Sequence, residues 1–229
     1  MALSHSPSLV MNGLVLCLDA GNSKSYPGSG TTWTDLSGNG NNATLTNGPT
    51  YNSANGGSIV FDGNDDHALL NTTSVISGDF TVEVWFNQTS YTPSSLGSQR
   101  CLVGGSNNSS GADNCQFIIG DNGTISLALA GAAVTLTPTT TGLMILNNWY
   151  HIIWTRTGSN ITTYLNNVSR STGTSSGAVR VDRVGQVGTT GGLSKNLPGN
   201  ISSVRFYNKV LTQAEVSQNY NALKGRFSI

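Results

Sequence analysis

The sequence predicts an all-β sandwich of two antiparallel sheets, finished by one short C-terminal helix. Apolar side chains alternate with polar ones in many short runs, the signature of half-buried strands. Clusters of Gly, Asn, Asp and Ser separate these runs, and the 28 glycines in 229 residues suit tight turns. Helix start and stop signals coincide in one place, after Leu211.

Residues 1–12 are expected to form a loosely held arm, and residues 13–229 a single domain without a linker or fixed repeat. Leu14, Leu16 and Leu18 alternate with Val15, Cys17 and Asp19 in a first strand. A polar turn region follows, punctuated by Pro27, Gly28 and Gly30. After Trp33, residues 35–42 are turn-forming almost throughout. Residues 43–46 and 58–61 predict short strands, residues 62–66 (DGNDD) a hairpin loop, and residues 67–70 its returning strand.

Residues 80–86, FTVEVWF, alternate most cleanly. Phe80, Val82, Val84 and Phe86 make an apolar face, and Thr81, Glu83 and Trp85 a mixed face open to solvent or ligand. Residues 99–104 and 115–120 predict further strands, with Asp121-Asn122-Gly123 as a hairpin turn before Ile125, Leu127 and Leu129. The segment NWYHIIWTRTGSNITTYLNNVSR, residues 148–170, is expected at the centre of a sheet. Both faces of its first strand are large and apolar, so it should lie between two layers. Asn166-Asn167 supplies the residue type that tolerates positive φ in a tight turn. Residues 183–188 and 200–207 provide the last strands. The helix starts at Thr212, with Glu215 three residues on as a capping box, and Leu211 and Val216 as a hydrophobic staple. Lys224 and Gly225 mark its end.

Composition excludes several functions. Lys plus Arg equals Asp plus Glu at 11 each, and only 10% of residues are charged. That balance leaves no electrostatic footprint for nucleic acid or an anionic membrane. No run approaches a membrane span of ~18 apolar residues. The N-terminus lacks the basic and long apolar regions of a secretory signal. Cys17, Cys101 and Cys115 are sparse and odd in number. This favours three buried reduced thiols over a Cys101–Cys115 bridge, and no CxxC offers a zinc site.

Five stretches taken together carry a family resemblance: WTDLSGNGNNATLTNGPTY (33–51), SIVFDGNDD (58–66), FTVEVWF (80–86), WYHIIWTR with TTYLNNV (149–168), and GNISSVRFYNKVLTQAEVSQNYNALKGRF (199–227). The set resembles the laminin-G-like branch of the concanavalin A-like lectin/glucanase superfamily. That resemblance implies a jelly roll with one concave and one convex sheet and the helix outside. The closing segment is similar to the endings of such domains in tailed-phage structural proteins. It implies a virion protein made in the host cytoplasm, displayed on a capsid or tail surface, partnered by other virion proteins and surface glycans, and able to form a homo-oligomer. A free extracellular carbohydrate-binding adhesion module is the alternative, and a divergent glycoside hydrolase a weaker third.

Glycosidases of this superfamily carry paired carboxylates on one strand, because one acid protonates the leaving oxygen while the other attacks or activates water. FTVEVWF holds only Glu83, so a non-enzyme is expected. His5, His67 and His151 lack an HExxH spacing, and GTTGGLSK (188–195) lacks a Walker ending. Trp85, with Glu83 and Thr81 on its face, is the candidate glycan platform. The competing reading is a Trp85 packed beneath a neighbouring loop or subunit. Asp62, Asp65 and Asp66 are the candidate calcium ligands, as the resemblance implies and as a hard cation prefers. The competing reading is a turn whose Asp and Asn residues serve backbone geometry.

Overall fold

The computed structural model describes residues 8–76, 78–91, 99–105, 116–120, 124–129, 132–136, 144–175, 177, 179–187 and 195–229. In chain order the strands are β1 (Leu14–Asp19), β2 (Thr32–Trp33), β3 (Ala43–Thr46), β4 (Thr50–Asn52), β5 (Ser58–Asp62), β6 (His67–Ile76), β7 (Phe80–Gln88), β8 (Gln99–Gly104), β9 (Gln116–Gly120), β10 (Ile125–Leu129), β11 (Ala132–Leu136), β12 (Trp149–Thr157), β13 (Asn160–Leu165), β14 (Val168–Thr174), β15 (Val179–Val184), β16 (Gln186–Val187), β17 (Lys195–Asn196) and β18 (Pro198–Tyr207). Helix α1 (Gln213–Phe227) closes the chain. No helix among the described residues is long and apolar enough to cross a membrane.

Two antiparallel eight-stranded sheets form the predicted sandwich. The first runs β14-β13-β12-β7-β18-β5-β4, and β1 also pairs with β18. β5 takes the start of β18 and β1 its end, so the two short strands lie end to end along one neighbour. The second sheet runs β11-β10-β9-β8-β15-β6-β3-β2. Between the sheets, Val82, Val84 and Phe86 of β7, Tyr150, Ile152 and Trp154 of β12, and Phe117 of β9 join one buried apolar cluster. Phe117 meets Trp154 edge-on, ring centroids 5.0 Å apart, an arrangement that favours aromatic pairs.

β12 lies between two layers, as the apolar character of both its faces predicts: the second sheet covers one face and α1 the other. Asn166 and Asn167 both take positive φ, 49° and 66°, and turn β13 into β14 with Leu165 opposite Val168. That is the geometry of a two-residue hairpin whose twist matches its strands. α1 starts as expected: Glu215 N donates to Thr212 Oγ1, and the Glu215 carboxylate accepts from Thr212 N. Its buried side chains, Val216, Asn219, Leu223 and Phe227, fall at helical spacing and face the first sheet.

Several expectations change. Residues 62–66 do not form a hairpin: β5 belongs to the first sheet and β6 to the second, so this loop crosses between layers at the rim of the sandwich. α1 runs through Gly225 to Phe227 and ends at Ser228, whose φ of 58° is left-handed. Arg226 and Phe227 make tertiary contacts that outweigh the local stop signal. The arm is held at residues 8–10, because Val10 N donates to Asn219 Oδ1, Tyr207 Oη donates to Val10 O, and Gln218 donates to Ser8 O. The Asp121–Gly123 turn lies outside the described residues, although β9 and β10, which it would join, do pair antiparallel.

Candidate functional site

Thr81, Glu83 and Trp85 share one face of β7, as alternation predicts, but that face is not open. All three are fully buried. The cover is α1. The Trp85 ring stacks between His151 on its own sheet (4.6 Å between centroids) and Phe227 of the helix (4.4 Å), and Tyr220 lies nearly parallel to it at 5.8 Å. Trp149 also packs on Phe227, at 4.6 Å. The open mixed face expected here is therefore corrected to a closed one. The physical reason is the stripe of α1, whose large apolar groups are satisfied only by a matching apolar patch.

Beneath α1 lies a polar network that alternation on three adjacent strands brings together. Register places Arg205 of β18 and Ile153 of β12 beside Glu83, and His151 beside Trp85. Arg205 Nη1 and His151 Nε2 each donate to Glu83 Oε1 at 3.0 Å. Asn219 Nδ2 of α1 donates to Glu83 Oε2 at 2.7 Å and lies 2.9 Å from the Tyr207 hydroxyl. At the far end of the helix, Arg226 Nη1 clamps both oxygens of Asp19 at 2.9 and 3.0 Å, and Arg205 Nη2 stands 3.7 Å from the same carboxylate.

Burial alone would raise the Glu83 carboxyl. The Arg205 charge, with hydrogen bonds from His151 and Asn219, overrides burial and holds it at about 2. Arg205 keeps its proton more tightly than an ordinary guanidinium; burial works against this, and the Glu83 charge prevails. Burial, reinforced by the Glu83 charge, raises the Tyr207 hydroxyl. Burial likewise pushes the Cys101 thiol up to about 12 and raises that of Cys17, which suits reduced, inert cysteines. Cys115 lies outside the described residues.

The acidic loop does come together. Asp62, Asp65 and Asp66 bring carboxylate oxygens within 4.8 Å of one another, with Asp62 and Asp65 exposed and Asp66 buried. Asp66 Oδ2 accepts from Asp62 N at 3.0 Å, and Asp62 Oδ1 from Asn64 N at 2.7 Å, so part of the cluster serves backbone geometry. Asp62 Oδ2, Asp66 Oδ1 and both oxygens of Asp65 accept no hydrogen bond among the described residues. As hard, anionic oxygens they fit a calcium ion. Burial raises the Asp66 carboxyl against the opposing hydrogen bond from Asp62 N, and the Asp62 and Asp65 charges add to the rise. The Asp65 carbonyl anchors the loop by accepting from Asn47 Nδ2 at 3.1 Å and from His67 Nδ1 at 3.0 Å. Burial holds the His67 imidazole below its usual range.

Beside this loop a cleft of about 540 Å³ opens at the rim, lined by Asp62, Gly63 and Asn64 and by Thr89 and Ser90, with Pro198 between the two groups. Gly63 carries φ +80°, and a Cβ there would meet the Pro198 Cβ at 2.7 Å. Only glycine lets the loop approach so closely without strain. The β7 end of the cleft is pinned where Thr89 N donates to Pro198 O and Gln88 Nε2 to Ser90 O. Sequence reasoning found the acidic loop but missed Thr89 and Pro198, which lie far from it in the chain. Arg205 was detectable as a lone charge inside an apolar strand, and Asn219 as a polar member of the helix stripe.

A family model described as the concanavalin A-like lectin/glucanases superfamily, Laminin_G_3, matches residues 62–217. The chain belongs to that superfamily. A comparison with curated proteins found no match. Among solved structures, this superfamily member is similar to Trypanosoma rangeli sialidase, with 15% identity and a TM-score of 0.67 over 99% of this chain and 37% of that one. It is also similar to the binding domain of Paraclostridial Mosquitocidal Protein 1, at 16% identity and TM-score 0.64 over 92% and 52%. The receptor binding domain of a botulinum neurotoxin C/D mosaic serotype matches at 13% and 0.67 over 92% and 51%. The superfamily member thus spans about a third of the sialidase and about half of each toxin fragment. At these identities the likeness is one of fold.

Proposed function

We propose that the chain is a non-catalytic, lectin-like module displayed on a phage particle, attached to capsid or tail proteins, and that it contacts glycans at its loop rim. The observation that carries the non-catalytic part is the state of Glu83. The one acid on the strand where superfamily glycosidases place theirs is fully buried, ion-paired to Arg205 and held ionised at about 2. A general acid needs a raised pKa and access to the leaving oxygen, and Glu83 has neither. The rim cleft supports contact with glycans, because it is concave, largely prebuilt and lined by carboxylate, amide and hydroxyl groups. Asp62, Asp65 and Asp66 would hold a calcium ion through their carboxylate oxygens, and the ion would cancel part of their charge and act as an acceptor for further oxygen ligands.

The virion placement is supported by the closing segment's similarity to phage structural proteins. The alternative, a free adhesion module, draws support from the two toxin binding domains that share the fold. A mass-spectrometric inventory of purified virions separates them: stoichiometric presence is expected, and absence from particles together with a clear glycan-array hit would favour the free module. Turnover of a β-glucan that disappears on Glu83→Gln would overturn the non-catalytic reading. Calcium titrated into chelated protein should raise the melting temperature, and an unchanged melting curve would remove the metal from the account.

A further inference from the structure

The rim cleft has a charge as well as a shape. Among the described residues its walls hold one carboxylate, Asp62, and no Lys or Arg. Asp65 and Asp66 stand directly behind, their oxygens within 4.8 Å of Asp62. One divalent cation on three carboxylates would still leave a net negative charge. A sugar carboxylate or sulfate entering the cleft therefore meets like charge at short range, which disfavours it. A neutral glycosyl unit meets complementary groups. Its hydroxyls can donate to Asp62, and can accept from the Asn64 amide and the Thr89 hydroxyl. Asp62 and Asn64 are exposed, while the backbone beneath them is fixed: Asn64 N donates to Asp62 Oδ1, and Asn64 O accepts from Asn196 Nδ2. A preformed polar wall of this kind loses little freedom when it binds.

We propose that the rim cleft selects neutral, hydroxyl-rich glycosyl units and rejects acidic sugars, with Asp62 as the discriminating residue. This rests on the glycan-contacting reading above and adds the substrate class to it. The likeness to a sialidase is one of fold and does not argue for an acidic ligand.

The test is calorimetric titration of the full chain, in chelator and again in calcium. The probes are lactose, cellobiose and mannobiose, together with their sialylated or uronic-acid counterparts. At least one neutral sugar is expected to bind tenfold or more tightly than its acidic counterpart, and Asp62→Asn should shrink that ratio below about threefold. The amide oxygen introduced by that change still accepts from Asn64 N, so the loop should stay folded. Should the variant prove unstable, Thr89→Asp adds a carboxylate to the cleft lining and should widen the ratio instead. Equal or tighter binding of the acidic sugars by the wild type overturns the inference and leaves glycan contact standing. A ratio that neither variant moves also overturns it. No binding by any probe removes the glycan-contacting reading, and the inference with it.

Discussion

Replacing Glu83 with Gln tests the buried network most directly. The change keeps size and shape but removes the charge that faces Arg205 at 3.0 Å, leaving a fully buried guanidinium with Asp19 at 3.7 Å as its remaining anion. Losing one partner of a buried pair costs about 3–5 kcal/mol, because the other charge stays desolvated. Linkage supplies a second figure. The carboxyl sits at about 2 in the folded chain against an ordinary 4.5, and each pH unit between the two is worth about 1.4 kcal/mol, so the group contributes roughly 3 kcal/mol. A depressed carboxyl gives this stability in full above the unfolded value. As pH falls below about 5 the unfolded chain takes up its proton first, and the contribution drains away towards pH 2. Urea unfolding followed by tryptophan fluorescence should therefore show Glu83→Gln roughly 3 kcal/mol less stable at pH 7, with the gap narrowing steadily between pH 5 and pH 3. A variant within about 1 kcal/mol of wild type at pH 7, or a gap that stays constant down to pH 3, would refute the reasoning.

Three further predictions follow from α1 and the rim. Phe227→Ala removes the ring packed on Trp85 and Trp149 and should cost about 3–5 kcal/mol, with a red shift in tryptophan emission as water reaches the stack. Thr212→Ala breaks the capping box and should cost about 1 kcal/mol by denaturant titration, without changing the emission maximum of the folded protein. Gly63→Ala must hold a positive φ and push against Pro198, so a loss of roughly 1–3 kcal/mol is expected, together with weaker binding of any ligand seated in the cleft.

The fold was legible because its signals are local. Alternation in FTVEVWF and WYHIIWTR, the Asn166-Asn167 turn and the Thr212–Glu215 box each depend on residues a few positions apart. The site was less legible because its pairings are not local. Alternation correctly placed Thr81, Glu83 and Trp85 on one face, but it does not say what lies over that face. That depends on the register of Val216, Asn219, Leu223 and Phe227 in α1, more than a hundred residues downstream. The DGNDD loop shows the same limit. Its turn chemistry was readable, while its crossing from one sheet to the other depends on β5 choosing β18 and β6 choosing β15.

The closed face also decides where a ligand can go. In a sandwich whose inner faces make the core, only the outer faces and the rim can meet another molecule. Here α1 covers the centre of the first sheet's outer face, and it is fastened by polar links at two levels: Asn219, which donates to Glu83 and accepts from Val10, and Arg226, which donates to Asp19. Opening that face would take Asn219 from Glu83 and Arg226 from Asp19 and expose Trp85 and Trp149 together. Both consequences oppose a helix that lifts to admit a substrate. The rim has no such lock, because its polar groups at Asp62, Asn64 and Thr89 are already at the surface and need no rearrangement to bind. Chemistry at Glu83 and recognition at the rim thus make opposite demands on α1. The network beneath the helix favours the second.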